Sequence, residues 1–280
     1  MPFVHRFLLN LPEAELWPGG LLTARSNADA RALARAQWVL RRKRDGRYLA
    51  AALPEGLLPL VPRLMREPDI EAALDALVWL EGLQAHWDAR TRDCFESFAA
   101  QALPMDRLHE RLQHLGLDAS YGERTGLSPV AEPGALAFAG FDRYRRALWL
   151  TAPTARAWHA MRQTALAEGI VLEAVSGYRS HDYQLGIFER KRARGQSVAQ
   201  ILKVNAAPGY SEHHGGTALD ITTPGEPPAE ESFETTPAFT WLQARAGEFG
   251  FRMSYPRDNP HGVVYEPWHW RHRGPADTAA

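Results

Sequence analysis

The chain has 280 residues, of which 45% are hydrophobic and 23% charged, a globular balance that excludes wholesale disorder. Lys+Arg number 32 and Asp+Glu 33, for a net charge of −1, which gives no electrostatic footprint for nucleic acid or an anionic membrane. The single cysteine, Cys94, excludes an intrachain disulfide and a Cys-rich zinc site, so any metal must be held by histidine and carboxylate groups.

Residues 1–20 contain one arginine and a short apolar patch at 7–9, and Pro12, Glu13 and Glu15 follow too soon for a signal-peptide core. The expectation is a cytoplasmic chain, with the envelope reachable only by another export route. No apolar run approaches the ~18 residues of a membrane span. Residues 1–130 read as mostly helical and carry no evident chemistry. Within them, 38–44 and 47–53 flank Asp45-Gly46, which predicts a hairpin over 38–53. The spacing of Ile70, Leu74, Leu77, Val78 and Leu80 predicts a helix running on through Trp87 toward Phe98, with Cys94 as a half-buried structural thiol. Pro104 breaks it, a shorter helix spans about 105–115, and Gly116 is its stop. His5, His86, His109 and His114 are scattered without metal-like spacing. This region can dock a partner, restrict a cleft or stabilise the rest of the chain. Residues 118–140, rich in Gly and Pro, read as a connector.

From Phe141 the texture changes. Residues 146–150 form a strand, and Thr151 caps a helix with Trp158, Met161 and Ala165 on one face. Residues 170–175 are a strand turned by Ser176-Gly177. Ser180 caps the next helix, whose basic end (Arg190, Lys191, Arg192, Arg194) suits the helix dipole. A strand at 219–222, a helix over 240–249 stopped by Gly250, and short strands at 263–265 and 269–271 complete the chain. Strands and helices mix without a βαβ rhythm, which predicts an α+β fold.

Two polar clusters stand out, Ser211-Glu212-His213-His214-Gly215-Gly216-Thr217-Ala218-Leu219-Asp220 and Tyr265-Glu266-Pro267-Trp268-His269-Trp270. Between them these clusters offer His213, Asp220, His269 and Glu266, and two neutral imidazoles with one carboxylate make a three-ligand zinc site with a fourth position for water. A second carboxylate beside that water can take its proton. Gly215 and Gly216 fit a tight backbone, and Ala218 a crowded position between ligands. Eleven histidines produce chance pairs, and His213-His214 taken alone reads as surface or satisfied core histidines. The combination of motifs argues otherwise.

Ser-x-His-x-x-Gly-x-Ala-x-Asp is complete in Ser211, His213, Gly216, Ala218 and Asp220, Glu-x-x-His follows at 266–269, and Ser176-Gly177-Tyr178-Arg179-Ser180 stands upstream. Together, over roughly residues 135–274, these motifs resemble the VanY-type zinc D-alanyl-D-alanine carboxypeptidases of the peptidase M15 family. Their superfamily includes lysostaphin-like endopeptidases and the hedgehog signalling domain. The resemblance implies a small antiparallel sheet flanked by helices, with zinc on His213, Asp220 and His269. Glu266 would be the general base and Arg179 the group that binds substrate and stabilises the oxyanion. Ser211 and Gln184 would line the substrate pocket. His214 reads as a neighbour of the ligands and His261 as a solvated loop histidine. Trp241, Trp268 and Trp270 read as core rather than substrate platform, with Trp268 the best candidate for an exception.

Three functions remain open at this level. The first is removal of a terminal D-alanine from peptidoglycan stem peptides or muropeptides, across a D,D or an L,D bond. The second is an endopeptidase of the same chemistry. The third is a non-catalytic zinc-containing module, which would be expected to have lost a ligand or the base.

Overall fold

A computed structural model describes residues 7–24, 26–85, 88–117 and 120–273. His5, His86, Trp87 and Gly274 lie outside them. The chain divides into two compact units, residues 1–103 with 133–138, and 104–132 with 139–280. The second unit thus takes in part of the region ahead of the expected boundary near 130. Among the described residues, no helix is long and apolar enough to cross a membrane.

The first unit is built on an antiparallel sheet. Its strands are β1 (Phe7–Asn10), β2 (Ala14–Pro18), β3 (Trp38–Arg42), β4 (Tyr48–Leu53), β5 (Gly56–Pro59) and the start of β6 (Ala135–Phe141), in the order β5-β4-β3-β2-β1-β6. Helices α1 (Asn27–Leu33), α2 (Ile70–Ala85) and α3 (Ala89–Ala100) follow strands in the chain. The mostly helical organisation expected of residues 1–130 is therefore corrected: helices occupy much of 70–125, but residues 7–59 are mainly a strand meander. The reason lies in burial. β1 is buried at all four positions and β2 at four of five, so neither shows the period-2 alternation that marks a strand. β3 and β4 pair as an antiparallel hairpin, and Gly46 at its turn has φ 68°. Cys94 on α3 is exposed, where a half-buried position was expected.

The second unit contains α4 (Asp106–His114), α5 (Ser120–Thr125), the end of β6, β7 (Ala147–Leu150), α6 (Ala152–Ala167), β8 (Glu173–Ser176), α7 (His181–Ala193), α8 (Val198–Leu202), β9 (Ala218–Thr222), α9 (Pro237–Arg245), β10 (Phe251–Met253) and β11 (His269–His272). β10-β11-β9-β8 form a four-stranded antiparallel sheet. The fold is a mixed helix and sheet structure of the α+β kind. α6 buries Trp158, Met161 and Ala165, the stripe read from the sequence. Ser180 caps α7 by accepting from the Tyr183 N–H at 3.1 Å. Residues 263–265, expected as a strand, have no strand partner and run along a cleft instead.

An apolar cluster joins α4 and α5 to this unit. Leu108, Leu112 and Tyr121 pack with Leu185, Ala207, Tyr210, Tyr255 and Val263. Residues 104–132 are thus structural neighbours of the segments around 207–210 and 255–263.

Candidate metal and peptide-cleavage site

Asp220 lies in the middle of β9 and His269 opens β11, and the register of these strands sets the two residues directly opposite each other. His213 sits in a 3-10 turn (Glu212–Gly215) that runs into β9. Gly216 ends that turn with φ 66°, a left-handed conformation that favours glycine. His213 Nε2 and His269 Nδ1 lie 3.3 and 3.1 Å from Asp220 Oδ1. Among the described residues these three form a group whose ligand atoms all fall within 4.8 Å of one another.

The donor set fits zinc. Ligands 2.0–2.2 Å from a tetrahedral zinc lie about 3.3–3.5 Å apart, close to the separations seen here. The outward-facing ring nitrogens are also committed. His213 Nδ1–H donates to the Gly177 carbonyl at 2.7 Å, and His269 Nε2–H donates to Glu212 Oε2 at 2.9 Å. Each imidazole therefore turns its other nitrogen toward Asp220, the arrangement that orients metal-binding histidines.

Electrostatics differ sharply among these groups. Burial, helped by the Arg179 guanidinium, holds His213 below the usual histidine range and so neutral. Burial opposes charge on His269 too, but hydrogen bonds to Asp220 and Glu212 outweigh it and raise its pKa to about 10. A metal would take the place of the Nδ1 proton facing Asp220. Burial works against the Asp220 charge, yet His213 and His269 hold its pKa well below the carboxylate range. Glu212 is also buried and is nevertheless held at about 2, chiefly by its bond to His269. Arg271 Nη1 donates to Glu212 Oε1 at 3.0 Å and Ser254 Oγ to Oε2 at 2.6 Å.

Glu266 is the exception among these carboxyls. Burial pushes it up to about 7, although the nearby His269 charge draws it down. Its Oε2 lies 3.9 Å from His269 Nδ1. Its backbone is fixed on both sides: its N–H donates to the Tyr255 carbonyl at 3.0 Å, and its carbonyl accepts from the His269 N–H at 3.2 Å. A carboxyl that titrates near neutrality beside three metal-type ligands suits proton transfer.

A cleft of about 310 Å³ opens onto this group. Arg179, in the turn between β8 and α7, reaches into it with Nη2 3.6 Å from Asp220 Oδ2 and Nη1 donating to Gln184 Oε1 at 3.3 Å. Gln184, on the first turn of α7, is fully buried, and its Nε2 donates to the Ala206 carbonyl at 3.0 Å. Ser211 is buried at the start of the 3-10 turn and lines the same cleft. All seven residues singled out from the sequence therefore meet at one cleft. Val204 and Val264 line it while remaining exposed.

The other histidines and tryptophans separate clearly. His214 is fully buried outside the ligand group, with Nδ1–H donating to the Arg179 carbonyl at 2.6 Å and Nε2 accepting from the Gly209 N–H at 3.0 Å. His261 Nδ1–H donates to the Thr125 carbonyl at 2.9 Å, so it is a tied loop histidine rather than a solvated one. Trp241 and Trp270 are buried, whereas Trp268 lines the cleft.

Sequence reasoning missed Glu212 and Tyr255. Glu212 is next to His213, and a carboxylate beside a ligand was the available signal. Tyr255 packs its ring 4.9 Å from that of His269, a contact across the fold with no local sequence signature.

A family model described as VanY, D-alanyl-D-alanine carboxypeptidase, matches residues 147–275. The bifunctional D-Ala-D-Ala dipeptidase and D-Ala-D-Ala carboxypeptidase VanXYC of Enterococcus gallinarum is 30% identical over 149 residues, 51% of this chain and 76% of that protein. A D-alanyl-D-alanine carboxypeptidase of Enterococcus faecalis is 34% identical over 120 residues, 39% of this chain and 43% of that protein. The solved structure of the LdcB LD-carboxypeptidase is 35% identical with a TM-score of 0.42, covering 44% of this chain and 59% of that one. The chain spans half or less of the length of two curated relatives that it matches.

Proposed function

The chain belongs to the VanY family of D-alanyl-D-alanine carboxypeptidases, and from that premise we propose that it is a zinc carboxypeptidase releasing one C-terminal D-alanine from peptidoglycan stem peptides. One observation carries this reading: His213, Asp220 and His269 converge in a single cleft with Glu266 and Arg179. A non-catalytic module would be expected to have lost one of these residues, and all five line the cleft.

His213 Nε2, Asp220 Oδ1 and His269 Nδ1 would hold the metal. When bound, zinc supplies a Lewis acid for the scissile carbonyl and acidifies a water to near neutrality. Glu266 takes the proton of the attacking water and passes it to the departing amine, so the same carboxyl ends the cycle as it began. Arg179 shares the negative charge that develops on the carbonyl oxygen. Loss of one such donor typically costs about 3–4 kcal/mol in the barrier. Gln184 holds the guanidinium in place, while Ser211 offers a hydroxyl to the substrate.

The test uses defined stem peptides ending in one or two D-alanines, read by mass spectrometry with and without a chelator. Release of a single D-alanine that stops with the chelator is expected, and the two peptides distinguish L,D from D,D cleavage. Amidating the peptide C-terminus removes a recognised carboxylate and should slow release about 10- to 100-fold, or 1–3 kcal/mol. An internal fragment as first product would make the enzyme an endopeptidase. No cleavage by the zinc-loaded chain would leave a binding module.

A further inference from the structure

Resting on the reading of Arg179 as the cation that meets the substrate, we propose that Glu132 is its positioning residue. Glu132 acts from a segment ahead of the family match, which begins at residue 147. It belongs to the same compact unit as the cleft and is only 3% exposed.

Its two oxygens bind the two residues that flank the arginine turn. Oε2 accepts from the Tyr178 hydroxyl at 2.5 Å, and Oε1 accepts from the His181 backbone N–H at 2.7 Å. One carboxylate thus pins the chain immediately before Arg179 and two positions after it. The His181 N–H is also one of the first-turn donors of α7 that lie beyond the reach of any carbonyl within the helix, a place where a carboxylate is favoured.

The same short segment is tied to the ligand side. His181 Nε2–H donates to the Val130 carbonyl at 2.8 Å, and the Val130 N–H donates to the Gly209 carbonyl at 2.7 Å. The His181 ring meets that of His214 edge-on at 4.4 Å, and His214 in turn holds the Arg179 carbonyl. The Arg179 N–H donates to the His213 carbonyl at 3.2 Å. The arginine backbone is therefore clamped between the metal-binding turn and a buried carboxylate from residues 130–132. A guanidinium displaced by about 1 Å loses on the order of 100-fold in rate, so the clamp has catalytic weight.

The experiment compares E132A and E132Q in the full zinc-loaded chain. It reads amide hydrogen exchange over 177–184, zinc content and kcat/KM for D-alanine release. E132A should speed exchange in 177–184, keep its zinc and lower kcat/KM about 10- to 100-fold. E132Q can keep both hydrogen bonds with the Tyr178 hydroxyl turned to accept, and should recover most of the loss. In an R179A background, E132A should change kcat/KM less than about 2-fold, because its effect passes through the arginine. Unchanged exchange in 177–184, or a full additional loss on top of R179A, would overturn the proposal. If E132A does not fold, Y178F removes the Oε2 contact alone and is judged by the same criteria. If the wild-type chain releases no D-alanine, the carboxypeptidase reading fails, and exchange over 177–184 still decides the role of Glu132.

Discussion

Glu212 accepts the Nε2 proton of His269 at 2.9 Å, and this contact determines which nitrogen of the imidazole meets Asp220. Glu212 is itself held by Ser254 and Arg271, so the ring cannot turn without breaking a buried, charged network. The imidazole that opens β11 is oriented by the residue preceding His213.

Removing that carboxylate should loosen metal binding. E212A is expected to weaken zinc affinity about 10- to 100-fold, the usual range for loss of a group behind a ligand. E212Q, which can still accept from Nε2–H, should lose less. Competition with a chromogenic chelator measures both, and unchanged affinity in E212A would remove Glu212 from the metal centre.

Zinc binding should depend steeply on pH. The metal must displace the Nδ1 proton of His269, whose pKa lies at about 10 because Asp220 and Glu212 outweigh burial. Apparent affinity is then expected to rise at least about 10-fold per pH unit from pH 7 toward 10, the His269 proton being released with each zinc. Calorimetric titration in buffers of different ionisation enthalpy counts that proton. A flat affinity over this range would show that His269 already binds through an unprotonated Nδ1.

Glu266 gives both a kinetic and a stability signature. As a base it must be ionised, so kcat/KM should rise with pH along an acid limb between about 4.5 and 7, since a bound dication favours the carboxylate. E266Q should retain zinc and lose at least ~100-fold in turnover. In chelator-treated protein the sign can be checked separately. A folded-state pKa raised from 4.5 to about 7 means stability that is full below 4.5 and lost as pH rises through 7. Metal-free E266Q should therefore be more stable than wild type at pH 8, by on the order of 3 kcal/mol, with the gap closing below pH 4.5. Urea titrations at the two pH values test this.

Gly177 orients His213 through its carbonyl and has no room for a side chain. A Cβ there would lie 2.7 Å from Leu148 Cδ1 and 3.0 Å from the Trp149 carbonyl oxygen. G177A is expected to cost about 1–3 kcal/mol in stability and to weaken zinc binding by moving the acceptor of His213 Nδ1–H. Denaturant unfolding and chelator competition read the two effects. Wild-type behaviour in both would mean that β7 yields freely at this point.

The sequence by itself determined which side chains gather at the cleft, because their chemistry is written in short local motifs. His213 and Asp220 share one ten-residue motif, Glu266 and His269 another, and Arg179 a third. It also determined α6 and the hairpin of β3 and β4, where a periodic apolar face and a turn dipeptide are local signals. Tertiary structure alone decided which ring nitrogen of each histidine faces Asp220, because the choice depends on Gly177 and Glu212 reaching the rings across 36 and 57 residues of chain. It likewise decided that β1 and β2 are strands, since both are buried on two faces and carry no alternation. Residues 104–132 joined the site's unit for the same kind of reason. Tyr121 takes the Ala207 N–H at a separation of 86 residues and Glu132 the Tyr178 hydroxyl at 46. Such hydrogen bonds form only once distant segments are packed against each other, and no local spacing in the chain encodes them.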